Sequence, residues 1–259
     1  MLTHGRPTKR ATLFLHGLSA SPRQFAAIAE RVYANGDNVF VPRLPRHGYP
    51  DRLTDSLKDL KADELFGHAR ESLNLSRGLA DEVRIVGFSL GGLLALWLAE
   101  HHDVGETIAI APLLGLAAVP PRFTPLLANL LRRAPNFFFW WNPLQREKQM
   151  PAHGYPRCAS HALAKSLNIA TTLFRAAKTS APTSDITLVI NAGESAVSNS
   201  AILELVERWR ARGAKLELGR IEGLGPSHDT IEPLRVDARI AKSYPPLYAL
   251  LEQPRGLKK

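Results

Sequence analysis

A chain of 259 residues with 45% hydrophobic and 22% charged residues is long enough to bury a full core and has the composition of a globular protein. Its longest apolar runs, such as residues 90–99, fall well short of the roughly 18 residues that span a bilayer, and the single cysteine, Cys158, excludes an intrachain disulfide and a cysteine-based metal site. The net charge of +9 suggests nucleic acid until it is located: residues 112–180 hold nine basic side chains against one acid, Glu147, and so carry +8 by themselves. No readout motif accompanies that charge, and nucleic acid is not an expected partner. The first ten residues contain no apolar stretch like a secretory signal, which favours the cytoplasm, although a chain with its signal removed would read the same.

In chain order, residues 11–15 read as a strand and 22–34 as a helix opened by Ser21 as N-cap. Residues 38–41 form a second strand, followed by a Pro- and Arg-rich loop over 42–50 and a helix within 60–79. Residues 82–86 are short and β-branched, 90–102 are apolar and free of proline, and 106–111 give another strand. The alternation resumes with a strand over 185–191, a helix over 199–212, a strand over 215–222 and a final helix over 236–251. Strands and helices at this spacing specify an α/β fold, a mostly parallel sheet with helices on both faces.

Residues 112–180 interrupt that pattern with eight prolines, no strand signal and eight of the nineteen aromatic residues. The segment reads as a helical insertion seated after one strand of the sheet, dividing the chain into 1–111, 112–180 and 181–259.

The most informative pentapeptide is Gly87-Phe88-Ser89-Leu90-Gly91. By composition alone such a pattern arises in roughly one chain of this length in ten. Here it joins a strand to a helix, where small residues two positions either side let the two elements pass and leave the Ser89 hydroxyl exposed. A nucleophilic serine needs a base and an orienting acid. Of nine histidines, His4 lies in the terminus, His16 and His47 in loops, His68 in a helix, His101 and His102 far along the helix after Ser89, and His153 and His161 in the insertion. That leaves His228, just after the last strand, at the carboxyl edge where such sheets gather their ligands.

Glu194 directly follows the strand over 185–191 and is the expected acid, with Glu222 as competitor. Asp185 precedes its strand, Asp229 is bonded next to His228, and the loop after residue 111 has no acid until Glu147. The N–H of Leu90, at a helix N-terminus, and that of Leu18, after the first strand, are the expected oxyanion donors. His16 reads as a brace for that loop. The histidine spacings suit no metal, and Cys158 reads as a buried thiol.

His16-Gly17-Leu18, the Gly87 to Gly91 turn, Gly193-Glu194-Ser195-Ala196-Val197 and Ser227-His228-Asp229, in the order serine, acid, histidine, resemble the α/β-hydrolase superfamily, and most of all compact bacterial carboxylesterases and monoacylglycerol-lipase-like enzymes. The stretch Val41 to Gly48 resembles their Pro-x-Leu-Pro-Gly-His-Gly loop, with Arg46 where glycine is usual, and Glu194 stands where the family places aspartate. The resemblance covers about residues 11–111 and 185–250. It implies a cofactor-free and metal-free serine hydrolase of carboxylic esters. The same residues would serve a thioesterase, amidase or acyltransferase, or a ligand-binding relative with weak turnover.

The resemblance makes the insertion a lid over the site. Its aromatics, Phe137, Phe138, Trp140 and Trp141, could line an apolar acyl pocket, and its arginines and lysines could touch an anionic lipid surface. The same residues could equally fasten the cap to the core beneath solvated charges. Oligomeric state leaves no trace in the sequence.

Overall fold

The computed structural model describes residues 1–146, 153–235 and 238–252. Six parallel strands form the central sheet: β1 (Thr8–Leu15), β2 (Asn38–Phe40), β3 (Ala80–Phe88), β4 (Glu106–Ile110), β7 (Asp185–Asn191) and β8 (Leu216–Ile221). Their order is β2-β1-β3-β4-β7-β8. The chain runs outward from β1 to β2 and then returns to β3 on the other side of β1. The β1/β3 boundary is therefore the switch point, the crevice where open α/β sheets bind ligands.

The central strands are apolar because both faces are covered. Leu13, Phe14, Leu15, Ile85, Val86 and Ala109 are fully buried. Helices α1 (Ala26–Ala34) and α7 (Ile240–Glu252) touch each other. Helices α2 (Ala62–Arg77), α3 (Leu90–His101) and α5 (Ser160–Ala176) form a second mutually packed group, and α6 (Asn199–Arg210) lies against β8. Almost every residue of α3 is buried, which explains why it shows no polar face in the sequence. No described helix is long and apolar enough to cross a membrane.

Two expectations need correction. Ser21 does not cap a helix through its side chain: residues Pro22–Phe25 form a 3-10 turn before α1, and the Ser21 hydroxyl has no partner among the described residues. The tight turn has a use, since it points Gln24 inward. The 112–180 segment is also not purely helical. Besides α4 (Thr124–Arg133) and α5, it contains the short antiparallel strands β5 (Phe138–Trp140) and β6 (Arg157–Ala159), paired Phe139 to Cys158. A run of five aromatics carries no alternation of polarity, so the period-2 signal is missing. The strand does alternate in space: Phe139 contacts the rings of Phe137 and Trp141, while Phe138 lies under the Arg157 guanidinium. Helix α5 packs against α2, α3 and α4, which joins the end of this segment to the helices of the sheet. Glu147, Lys148, Pro151 and the expected start of the last helix at 236 lie outside the described residues.

The amino end of β3 holds a second polar cluster that the sequence reading did not single out. Arg84 is 1% exposed. Its guanidinium donates to Asp37 Oδ2 at 2.9 Å, to Thr12 Oγ1 at 3.2 Å and to the Leu251 carbonyl of α7 at 2.7 Å. Arg10 Nε shares the same Asp37 oxygen at 3.0 Å. Beside this cluster lies a cavity of about 260 Å³ lined by Arg10, Arg31, Asn35, Asp37, Arg84 and Glu252 among others.

Candidate active site

At the opposite end of β3 the chain turns through Ser89 into α3. Ser89 adopts φ 53° and ψ −113°, a conformation that side chains rarely take. Its N–H donates to the Ile110 carbonyl at 2.9 Å, and its own carbonyl accepts from Leu93 N–H at 2.9 Å and Leu113 N–H at 3.0 Å. The strain is thus held from both sides. The flanking glycines are steric necessities: a Cβ on Gly87 would sit 2.1 Å from the Gly91 carbonyl oxygen, and one on Gly91 would sit 1.8 Å from that of Leu15.

Three of the expected residues come together. His228 Nε2 lies 2.9 Å from Ser89 Oγ, and His228 Nδ1 lies 2.9 Å from Glu194 Oε2. The Glu194 side chain is fully covered. Burial opposes its charge, but the His228 hydrogen bond and charge, with the Ala196 and Val197 N–H groups, hold the carboxyl below its usual range. An ionised acceptor at Nδ1 fixes the proton there, which leaves the Nε2 lone pair facing the serine hydroxyl.

Two loops meet closely around Glu194. Asn191, the last residue of β7, donates from Nδ2 to the carbonyls of Gly225 and Ser227, both at 2.9 Å, and Ser195 Oγ donates to the Pro226 carbonyl at 2.7 Å. A Cβ on Gly193 would lie 2.6 Å from the Gly225 carbonyl oxygen. Glu222 is far from this arrangement in character: it is 70% exposed and paired with Arg220 at 2.7 Å. Asp229 also turns elsewhere, accepting from Gln24 Nε2 at 2.9 Å.

The β1 loop lies alongside, with a Cβ placed on Gly17 falling 3.5 Å from the Ser89 Cβ. Gln24 fixes it by accepting from the Gly17 N–H at 2.8 Å while holding Asp229 through its other end. Gln24 therefore joins the Leu18 loop to the His228 loop. Sequence reasoning missed it because a glutamine inside a helix pattern carries no signal.

Leu90 N–H is the first of α3, so its helix provides no carbonyl for it, and the Leu18 N–H is not taken by any carbonyl or side chain of the described residues. His16 is fully buried; its Nδ1 donates to the Gly17 carbonyl at 2.9 Å, and its Nε2 accepts from Leu44 N–H at 3.1 Å. Burial, with His47 nearby, pushes its pKa well down, so it braces the loop as a neutral ring.

Of the four aromatics expected to line a pocket, hydrogen bonds and ring contacts of the described residues bring only Trp141 to this region, where its indole donates to Ser19 Oγ at 2.7 Å. Phe138 is stacked under Arg157, Trp140 lies 5.8 Å from Arg146, and Phe137 is half exposed. Cys158 is buried, and burial raises its thiol pKa. Among the described residues no cluster of three or more His, Cys, Asp or Glu side chains is arranged to hold a metal.

A model of the alpha/beta hydrolase family matches residues 12–238. A thermostable monoacylglycerol lipase from Bacillus sp. (strain H-257) is 30% identical over 112 residues, 42% of this chain and 41% of that lipase, so the match spans less than half of the relative. Among solved structures, a monoacylglycerol lipase from Paleococcus ferrophilus aligns over 95% of both chains with a TM-score of 0.70 and 17% identity. A soluble variant of monoglyceride lipase from Saccharomyces cerevisiae, in complex with a substrate analog, aligns over 97% of this chain and 89% of its own with a TM-score of 0.71 and 14% identity. These likenesses show the fold, and with the family model covering most of its length, the chain belongs to the alpha/beta hydrolase family.

Proposed function

We propose that the protein is a serine hydrolase of carboxylic esters, and that Ser89, His228 and Glu194 are its catalytic residues. The observation that carries this reading is the continuous Ser89–His228–Glu194 hydrogen-bond chain, 2.9 Å at each link. In this mechanism His228 Nε2 takes the Ser89 proton as Oγ attacks the ester carbonyl. The Leu18 and Leu90 N–H groups receive the negative charge that forms on oxygen, helped by the N-terminal dipole of α3. The same histidine then protonates the leaving alcohol. Water, deprotonated in turn by His228, releases the acid from Ser89. Glu194 keeps the imidazole oriented and balances its charge while it is protonated. The chemistry uses no cofactor.

The proposed substrate is a small ester with an apolar acyl group. The name of the Bacillus relative supports that choice, and so do the cap's exposed apolar side chains. Phe123, Leu126, Leu130, Phe137 and Leu144 are all exposed; Arg122 lies over the Phe123 ring, and Leu126 and Leu130 share helix α4 with Arg132 and Arg133. Such a surface would also suit transient contact with an anionic lipid layer.

A fluorophosphonate probe read by intact mass tests the reading directly: one adduct, lost in Ser89→Ala, is expected. An unreactive Ser89 would overturn it and leave a ligand-binding relative. A p-nitrophenyl ester series then reports acyl length, with optimum activity on medium or longer chains expected for the lipase-like form.

A further inference from the structure

The cap reaches the Leu18 loop through two bonds to one residue, Ser19. The Trp141 indole N–H donates to Ser19 Oγ at 2.7 Å, and the Tyr155 N–H donates to the Ser19 carbonyl at 2.6 Å. Ser19 is buried and sits at φ 62°, in the left-handed region that favours glycine or asparagine. It is the third residue of a turn closed by Ala20 N–H to the Gly17 carbonyl at 3.1 Å. A turn with positive φ at that position ordinarily takes glycine there. With serine instead, the local preference is to rotate back to negative φ, which loosens the turn-closing bond on the Gly17 carbonyl and so frees the Gly17–Leu18 peptide that carries the Leu18 N–H.

Tyr155 makes a parallel attachment. Its hydroxyl donates to the Arg46 carbonyl at 3.1 Å and accepts from Tyr49 N–H at 3.0 Å, and Arg46 also has a positive φ, 66°. One buried cap residue thus holds two non-glycine residues in left-handed conformations. On its other side the turn is fixed from the core, by Gln24 on the Gly17 N–H. The Leu18 N–H therefore lies between a core clamp and a cap clamp.

We propose that Trp141 and Tyr155 are positioning residues for the oxyanion hole: by holding Ser19 they aim the Leu18 N–H, so the hole is complete only while this part of the cap is seated. The inference rests on the serine hydrolase reading. It assigns Trp141 a role in turnover beyond that of an acyl-pocket wall, and it makes cap seating a condition for charge stabilisation.

The test combines Trp141→Phe, which keeps the ring and removes the donor, with Ser19→Ala, which removes the acceptor. Each variant is expected to lower kcat about 10-fold with KM little changed, the size expected for one hydrogen bond. The double variant should be no worse than either single, because both remove the same interaction. Amide hydrogen exchange gives a readout that needs no turnover. Protection at Ala20 should fall at least about 10-fold in Trp141→Phe, while Leu93 in α3 stays unchanged.

A rise in KM at constant kcat in Trp141→Phe with a silent Ser19→Ala would overturn the proposal. So would losses that multiply in the double variant, or unaltered exchange at Ala20. If wild-type Ser89 resists the fluorophosphonate, the hydrolase reading fails, and the exchange experiment still decides whether the cap holds the turn.

Discussion

Strand β3 carries a buried polar cluster at each end, and only one leaves its groups uncommitted. At the amino end Arg84 donates to Thr12, Asp37 and the Leu251 carbonyl, and Asp37 is shared with Arg10. With Glu106 Oε2 3.8 Å from the Arg84 guanidinium, two cations there face two carboxylates. At the carboxyl end, Ser89 is strained, its hydroxyl faces a histidine lone pair, and the Leu18 and Leu90 N–H groups have no acceptor among the described residues. The 260 Å³ cavity lies at the amino end, beside the satisfied cluster. Neither volume nor buried charge identifies a reactive site; donors and lone pairs left uncommitted at a strained residue do.

The largest effect that would break this contrast is at Glu194. Glu194→Gln should cut turnover about 10⁴-fold, because a neutral amide that can offer its NH2 to Nδ1 no longer fixes the His228 tautomer or balances its charge. Glu222→Gln should leave steady-state rates unchanged. The reverse outcome would move the acid to the exposed end of β8. At the other end of β3, Arg84→Met should lower unfolding free energy in urea by about 3–5 kcal/mol, because Asp37 stays buried with fewer partners, while kcat stays near wild type. A large loss of kcat in a folded Arg84→Met protein would show that the two ends are coupled.

The third effect depends on pH. Burial holds the His47 imidazole down at about 4, against its ordinary 6.5. Between those values the unfolded chain binds a proton that the folded chain does not. The stabilisation is complete above about pH 6.5 and is lost as pH falls toward 4, by up to about 3 kcal/mol. His16, lowered by burial, acts in the same direction. Urea midpoints measured at pH 7 and pH 5 should therefore converge in His47→Asn relative to wild type. The smallest effect is at Gln24. Gln24→Ala should slow ester turnover about 10-fold or less by freeing the Leu18 loop from Asp229, with the fluorophosphonate adduct still formed.

Much of the fold was legible because parallel strands buried on both faces are apolar runs that need no partner to be recognised. The elbow and its glycines were legible for a steric reason that any strand-to-helix crossing shares. His228 and Glu194 followed from their places after β8 and β7. Residues 112–180 were less legible. Their β5–β6 pair hides in an aromatic run without alternation, and which way a ring turns depends on partners outside that run, as with Phe138 under Arg157. Gln24, Asn191 and Ser19 were invisible because each acts through a hydrogen bond to a distant loop, and side-chain amides and hydroxyls look alike whether they meet a backbone group or water. Arg84 was passed over because a lone charge within a strand pattern reads as a residue at its exposed edge.

The Gln24–Asp229 bridge spans 205 residues of sequence, the Ser89–His228 bond 139 and the Trp141–Ser19 bond 122. Contacts this distant form only after the intervening chain has organised, since each closes a long loop whose entropy must be offset by structure already in place. Ser89, His228 and the Trp141 segment therefore meet late in folding. A partly folded or partly synthesised chain would expose an ordinary serine, and the proposed hydrolytic centre would appear together with the finished protein.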